Sequence, residues 1–178
     1  MLAKVRHYVP TESLRNIYFG IFSSILTYAA QVWGQYHNNH IKRIIKLQNK
    51  AIRIINFADF RAPVPKLYQK LRILTFEDTI KVNNYLYVHN SMSRRLPLAL
   101  RNNFKYLHDN HNHYTRSATD HCVCLPKYCT TIYGIHSITD QAARIWNHLQ
   151  VNRASYNLHL LSREVCKVKL KAHFIQSY

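Results

Sequence analysis

The stretch Asn39-His40-Ile41-Lys42-Arg43-Ile44-Ile45-Lys46-Leu47-Gln48-Asn49-Lys50-Ala51-Ile52-Arg53-Ile54-Ile55-Asn56-Phe57 decides how the rest of the chain is read. At about 100° per residue, Ile41, Ile44, Ile45, Gln48, Ile52 and Ile55 gather on one side of a helix. Leu47, Ala51 and Ile54 widen that side. Lys42, Arg43, Lys46, Lys50 and Arg53 gather on the other, with no acid among them. The spacing predicts an amphipathic helix over 39–57 that buries isoleucines and presents five cations. Like charges one turn apart cost an isolated helix about 0.2–0.5 kcal/mol per pair. Leaving them unpaired makes physical sense where a phosphate backbone supplies the counter-charge; the plainer alternative is a solvated face on a basic protein.

The rest of the chain shares this charge. Its 178 residues hold 25 Lys and Arg against 8 Asp and Glu, a formal net charge of +17. The excess is spread along the length, with 8 basic and 2 acidic residues in 1–60, 10 and 4 in 61–120, and 7 and 2 in 121–178. That excludes a basic tail on a neutral domain. It also excludes an ordinary acidic enzyme or a large carboxylate-lined metal site, and favours a polyanionic partner. Hydrophobic residues are 47%, enough for a core. Only 3 Gly and 5 Pro leave no room for a Gly-rich phosphate loop or a flexible linker.

Outward from the basic helix, the pattern predicts a mainly α fold. Towards the N-terminus, Leu14, Ile17, Tyr18, Ile21, Phe22, Ile25, Tyr28, Ala29 and Val32 keep a helical stripe over about Thr11–Gly34, with Thr11 as N-cap and Gly34 as the stop. The segment Asn16–Tyr36 lacks charge, but its stripe and its Asn, Ser, Thr and Gln residues argue for one buried face, not a membrane span. Towards the C-terminus, Pro63 and Pro65 mark a boundary before a short helix to about Ile73. Thr75-Phe76-Glu77-Asp78 then starts a helix running to about Met92. Arg94–Pro97 reads as a turn, Leu98–Asn103 as one helical turn, and Leu107–Asp120 as a His-rich loop. Cys122–Ile132 is the best candidate for a short extended or β segment. Ser137 with Asp140 opens a helix burying Ile138, Ala142, Ile145, Trp146 and Leu149. A last helix, about Ser155–Ile175, would bury Leu158, Leu161, Val165, Val168 and Ala172.

Catalytic patterns are missing. Among the eight carboxylates only Glu77 and Asp78 are adjacent, and they begin a helix, so neither a two-metal centre nor a glycosidase-type pair is indicated. Nucleophile-elbow, Walker and His-Glu-x-x-His motifs do not occur. No catalytic residue, cofactor or metal is expected. The sharpest rival is a small zinc module built from His113, Cys122, Cys124 and Cys129, with His108, His111 and His121 nearby. The spacing lacks a Cys-x-x-Cys pair, and small buried thiols beside a His-rich loop explain it as well. The opening Met1-Leu2-Ala3-Lys4-Val5-Arg6 has no secretory character, so an intracellular setting (nucleus or cytoplasm) with reduced thiols is expected. Most aromatics, Trp33 and Trp146 included, sit on apolar stripes and read as core.

These residues resemble a family. Leu14-Arg15-Asn16-Ile17-Tyr18, Ile25-Leu26-Thr27-Tyr28 and Val32-Trp33-Gly34 are similar to the segment after the palm in reverse transcriptases of LINE-type (non-LTR) retrotransposons, Jockey and CR1-like. Leu47–Ile55 and Leu67-Tyr68-Gln69-Lys70-Leu71-Arg72-Ile73-Leu74 resemble the next signature helices. His113-Tyr114-Thr115-Arg116, Leu125-Pro126-Lys127 and Trp146-Asn147-His148-Leu149 continue in order. Gln141-Ala142-Ala143 stands where the family often has Gly-Pro, and Gln150 where Pro is common. The resemblance implies a thumb-like helical region at 1–60 and a C-terminal extension at 61–178. It also implies that the palm lies upstream, since Tyr28-Ala29 is followed by Ala30-Gln31 and not by two aspartates. The implied role is backbone binding of RNA or an RNA–DNA template–primer through Lys42, Arg43, Lys46, Lys50 and Arg53, with no polymerase activity of its own. The alternative is an inert or exapted remnant that associates with protein through exposed apolar thumb faces.

Overall fold

The computed structural model describes residues 2–34, 39–109, 121–129, 134–151 and 160–178. Its helices are α1 (Leu2–Val5), α2 (Thr11–Ile17), α3 (Ser24–Thr27), α4 (Ala30–Trp33), α5 (Asn39–Ile55), α6 (Val64–Leu71), α7 (Phe76–Met92), α8 (Leu98–Arg101), α9 (Ile138–Val151) and α10 (Arg163–Gln176), with a π-helical segment at Tyr18–Ser23. No strand occurs among the described residues, so the fold is mainly α as expected. The chain divides into two compact units, Met1–Ile80 with Lys171–Tyr178, and Lys81–Leu170.

In the first unit, α5 packs against α1, α2 and α6. Leu14, Tyr18, Ala51, Ile52, Ile55, Tyr68, Leu71 and Ile73 form its main core. A smaller cluster joins Ala30, Phe76 and Ile80, with Trp33 stacked on Phe76 at 5.1 Å. The expected single helix over Thr11–Gly34 is instead interrupted. Pro10, not Thr11, is the N-cap residue, its extended backbone leading into α2. The hydroxyls of Ser24 and Thr27 donate to Gly20 O and Ser23 O at 2.7 and 2.8 Å, bonds that compete with the helical ladder. At Ala29 the backbone turns left-handed, with φ 49°, and the Trp33 indole N–H closes the break by donating to Tyr28 O at 2.9 Å. The consequence is a correction to the expected buried stripe: Leu14 and Tyr18 are buried, whereas Ile25, Tyr28 and Val32 are 71%, 81% and 60% exposed. Gly34 is the C-cap of α4, and glycine is required there by close approach, since a Cβ would lie 2.5 Å from both Ala30 O and Ile80 Cδ1.

Helix α7 begins as expected. Thr75 Oγ1 donates to Asp78 Oδ2 at 2.7 Å and accepts from Asp78 N–H at 3.2 Å. Helices α5, α6 and α7 end alike. Phe57 N–H donates to Ile54 O and Ala58 N–H to Arg53 O; Arg72 N–H to Gln69 O and Ile73 N–H to Tyr68 O; Arg94 N–H to Ser91 O and Arg95 N–H to Asn90 O. Each is a Schellman stop whose left-handed residue is not glycine, with φ of 53° at Phe57, 53° at Arg72 and 54° at Arg94.

In the second unit, Trp146 of α9 is fully buried and stacks on Tyr85 at 4.5 Å, while Gln150 donates to the Tyr85 hydroxyl at 3.1 Å. The pair Trp146-Asn147 holds an extended segment in place. The indole donates to His121 O at 3.0 Å. The Asn147 amide meets both main-chain polar groups of one residue, accepting from Val123 N–H at 2.8 Å and donating to Val123 O at 2.9 Å. The same segment forms an isolated antiparallel bridge between Val123 and Tyr106, so the extended stretch expected here is one bridge, not a strand; positions 130–133 lie outside the described residues. Ser137 Oγ accepts from Asp140 N–H at 3.2 Å, opening α9 as expected. Helix α10 begins at Arg163 and its face is rotated from the expected one. Cys166, Leu170 and Phe174 are buried, while Val165 and Val168 are 42% and 67% exposed.

Candidate nucleic-acid interface

The basic helix is held from beneath by one buried side chain. Gln48 Nε2 donates to the Tyr18 hydroxyl at 2.9 Å and to Leu74 O at 3.1 Å, and Gln48 Oε1 accepts from Phe76 N–H at 2.9 Å. One amide therefore ties α5 to the π-helical segment and to the start of α7. A second tie comes from Tyr68, whose hydroxyl donates to Asn49 Oδ1 at 2.9 Å. Burial pushes the Tyr18 and Tyr68 phenols up, so both remain neutral hydrogen-bonding groups. Gln48, Ala51, Ile52 and Ile55 are buried, and Ile41, Ile44, Ile45 and Ile54 are half-buried. The rotational setting of α5 is thereby fixed.

The opposite face carries Lys42, Arg43, Lys46 and Lys50, all exposed. Among the described residues, none of them pairs with a carboxylate. At 1.5 Å per residue, Lys42, Lys46 and Lys50 step along the helix by about 6 Å. Arg53 departs from the expected set. It is half-buried, and its Nε donates to Ala62 O at 3.1 Å, securing the turn after α5. That bond joins residues nine apart across an irregular segment, which a helical wheel does not display. Leu47 is also corrected: it is 57% exposed, on the cationic side and not in the core.

No group of three or more His, Cys, Asp or Glu converges as a metal site among the described residues. Cys122 is buried, Cys124 half-buried and Cys129 exposed, while His111 and His113 lie outside the described residues. Nor is any helix among the described residues long and apolar enough to cross a membrane.

No protein-family model matches the chain, and no solved structure matches it. One curated protein does, in part: a probable RNA-directed DNA polymerase from the transposon X-element of Drosophila melanogaster is 33% identical over 88 residues. The matched region is 48% of this chain and 10% of that protein, so the chain spans about a tenth of the length of the relative it matches. The chain thus contains a region related to a retrotransposon RNA-directed DNA polymerase.

Proposed function

We propose that this chain is the thumb-like region (residues 1–60) and C-terminal extension (61–178) of a non-LTR retrotransposon reverse transcriptase, catalytically incomplete in itself, which binds RNA or an RNA–DNA duplex by its backbone. The observation that carries the reading is the row of exposed, acid-free cations on a helix whose rotation Gln48 fixes. Contacts to phosphate position a protein on its nucleic acid without reading sequence, which is the task of a polymerase thumb. The partial likeness to a transposon polymerase supports the reading. The engagement of Asp78 with Thr75 at the start of α7 is in keeping with it.

The experiment is fluorescence anisotropy of a labelled RNA–DNA duplex across a salt series. Four to five neutralised phosphates give a slope of log K against log[salt] of about −3 to −4.5. Because Arg53 serves the fold, the test variant combines Lys42→Ala, Arg43→Ala, Lys46→Ala and Lys50→Ala. Loss of most of the slope is expected. Parent binding that hardly responds to salt, or a variant that binds like the parent, overturns the reading.

One observation favours a second reading, association with a protein. Ile21, Ile25, Tyr28 and Val32 are 47%, 71%, 81% and 60% exposed within a twelve-residue stretch. Sedimentation of the parent and of Ile25→Ser with Val32→Ser distinguishes them: protein association predicts self-assembly or capture that the serines abolish while duplex binding is absent.

A further inference from the structure

The second unit holds a concave site that the basic helix does not explain. A cavity of about 410 Å³ is lined by Arg94, Arg101, Lys105, Tyr106 and Asp109, among others. Three cationic residues and one acidic residue are among its lining. We propose that this cavity seats a phosphate group.

Each cation is placed by a separate backbone device. Arg94 occupies the left-handed position of the Schellman stop that ends α7. A residue with a Cβ is strained there by about 1–2 kcal/mol, and glycine would suit the backbone better. Arg101 is clamped within its turn: its Nε donates to Leu96 O at 2.6 Å, and Ser91 Oγ donates to Leu100 O and Arg101 O at 3.2 and 3.0 Å. Among the described residues no hydrogen bond engages its two Nη groups. Lys105 is fixed through its main chain, whose carbonyl accepts from Cys124 N–H at 2.9 Å beside the Tyr106–Val123 bridge. The single carboxylate, Asp109, lies 3.2 Å from His108 Nε2 and forms no ion pair with the three cations among the described residues. Backbone fixed at these three positions keeps the side chains rooted around the cavity, and guanidinium matches phosphate geometry.

The test uses the full chain and inorganic pyrophosphate as the calorimetric probe, at one ionic strength. Arg94→Gly suits the left-handed backbone, so it removes the guanidinium while keeping the helix stop. Arg94→Gly and Lys105→Gln are each expected to weaken pyrophosphate binding about tenfold, the loss typical of one charge-assisted contact. Asp109→Asn is expected to tighten it by about threefold, through removal of a nearby like charge. Lys127→Gln and Glu12→Gln make the same changes in net charge outside the cavity and are expected to change nothing. A parallel titration with a labelled oligonucleotide identifies the source of the phosphate. Loss in the same variants means a strand phosphate, and an unchanged oligonucleotide affinity means a free phosphate compound; both support the site. Absence of saturable pyrophosphate binding, or equal effects of cavity and control substitutions, overturns it. The four-residue variant of α5 leaves pyrophosphate binding intact if the site is real, so failure here and failure of the thumb reading are separable.

Discussion

Replacing Gln48 by methionine removes the amide that fixes the basic helix while nearly preserving side-chain volume. The cost is therefore that of hydrogen bonds and not of a cavity. Three bonds vanish: those to the Tyr18 hydroxyl, to Leu74 O and from Phe76 N–H. Tyr18 and Phe76 are each 2% exposed, so water cannot replace the lost partner at either without opening the core. A buried polar group left unpaired costs about 1–3 kcal/mol. Leu74 is half-buried and finds water more readily. The sum, discounted for relaxation among neighbours, is about 3–5 kcal/mol. Against a typical stability of about 5–15 kcal/mol that is a large fraction. The assay is urea unfolding followed by circular dichroism, with Gln69→Met, an exposed glutamine of α6, as the control expected to stay within about 0.5 kcal/mol. A Gln48→Met variant less than about 1 kcal/mol weaker than the parent refutes the claim that this amide sets the rotation of α5.

Two further outcomes follow from backbone strain and from burial. Arg72 is exposed and left-handed, with φ 53°, so Arg72→Gly is expected to raise stability by about 0.5–1 kcal/mol, and a loss in urea unfolding counts against the Schellman assignment. His89 is buried with its Nε2 at 2.9 Å from Leu161 O; burial pulls its pKa below the ordinary 6.5, and the charges of Arg95 and Arg163 lower it further. The unfolded chain then binds the proton more readily than the folded one, so the contribution of His89 is complete above about pH 6.5 and is lost as pH falls below it. His89→Gln is expected to flatten the decline in stability below that pH, and an unchanged pH profile contradicts it.

What was legible in the sequence was what rests on neighbours within one turn. The starts of α7 and α9 follow from Thr75 with Asp78 and from Ser137 with Asp140, because those bonds are made three residues apart. The exposure of Lys42, Arg43, Lys46 and Lys50 on α5 follows from helical period, whereas the bond of Arg53 to Ala62 O does not. The helix stops after Ile55, Leu71 and Met92 lack the glycine that announces a left-handed turn, since Phe57, Arg72 and Arg94 accept the strain instead. The break at Ala29 depends on an indole N–H reaching back five residues, and the Asn147 clamp on Val123 spans twenty-four. Neither leaves a local pattern. In α10 the apolar Val165 and Val168 advertise a face that the fold leaves exposed, while Cys166, a weaker hydrophobic signal, occupies the core with Leu170. The proposed phosphate cavity was equally hidden, because its cations come from three separate segments: the stop of α7, the end of α8 and the stretch before the Tyr106–Val123 bridge.

The fate of the acids explains why so much positive charge stays open. Asp78 accepts from Thr75 and from the Tyr178 hydroxyl at 2.7 Å each, and is buried. Asp140 is fully buried, and accepts from Arg144 Nε at 2.7 Å, one turn along its own helix. Asp59 accepts from the adjacent Phe60 N–H at 2.6 Å. Glu164 lies 3.9 Å from its neighbour Arg163. Apart from the bond from Tyr178 to Asp78, these contacts lie within four residues in sequence. With 25 cations against 8 acids, Lys42, Arg43, Lys46 and Lys50 are left without a carboxylate partner among the described residues. Self-repulsion of that kind is relieved by salt or by a polyanion. Added phosphate should therefore stabilise this chain more than chloride of equal ionic strength, and the excess should shrink in the α5 variant by the part those four residues contribute.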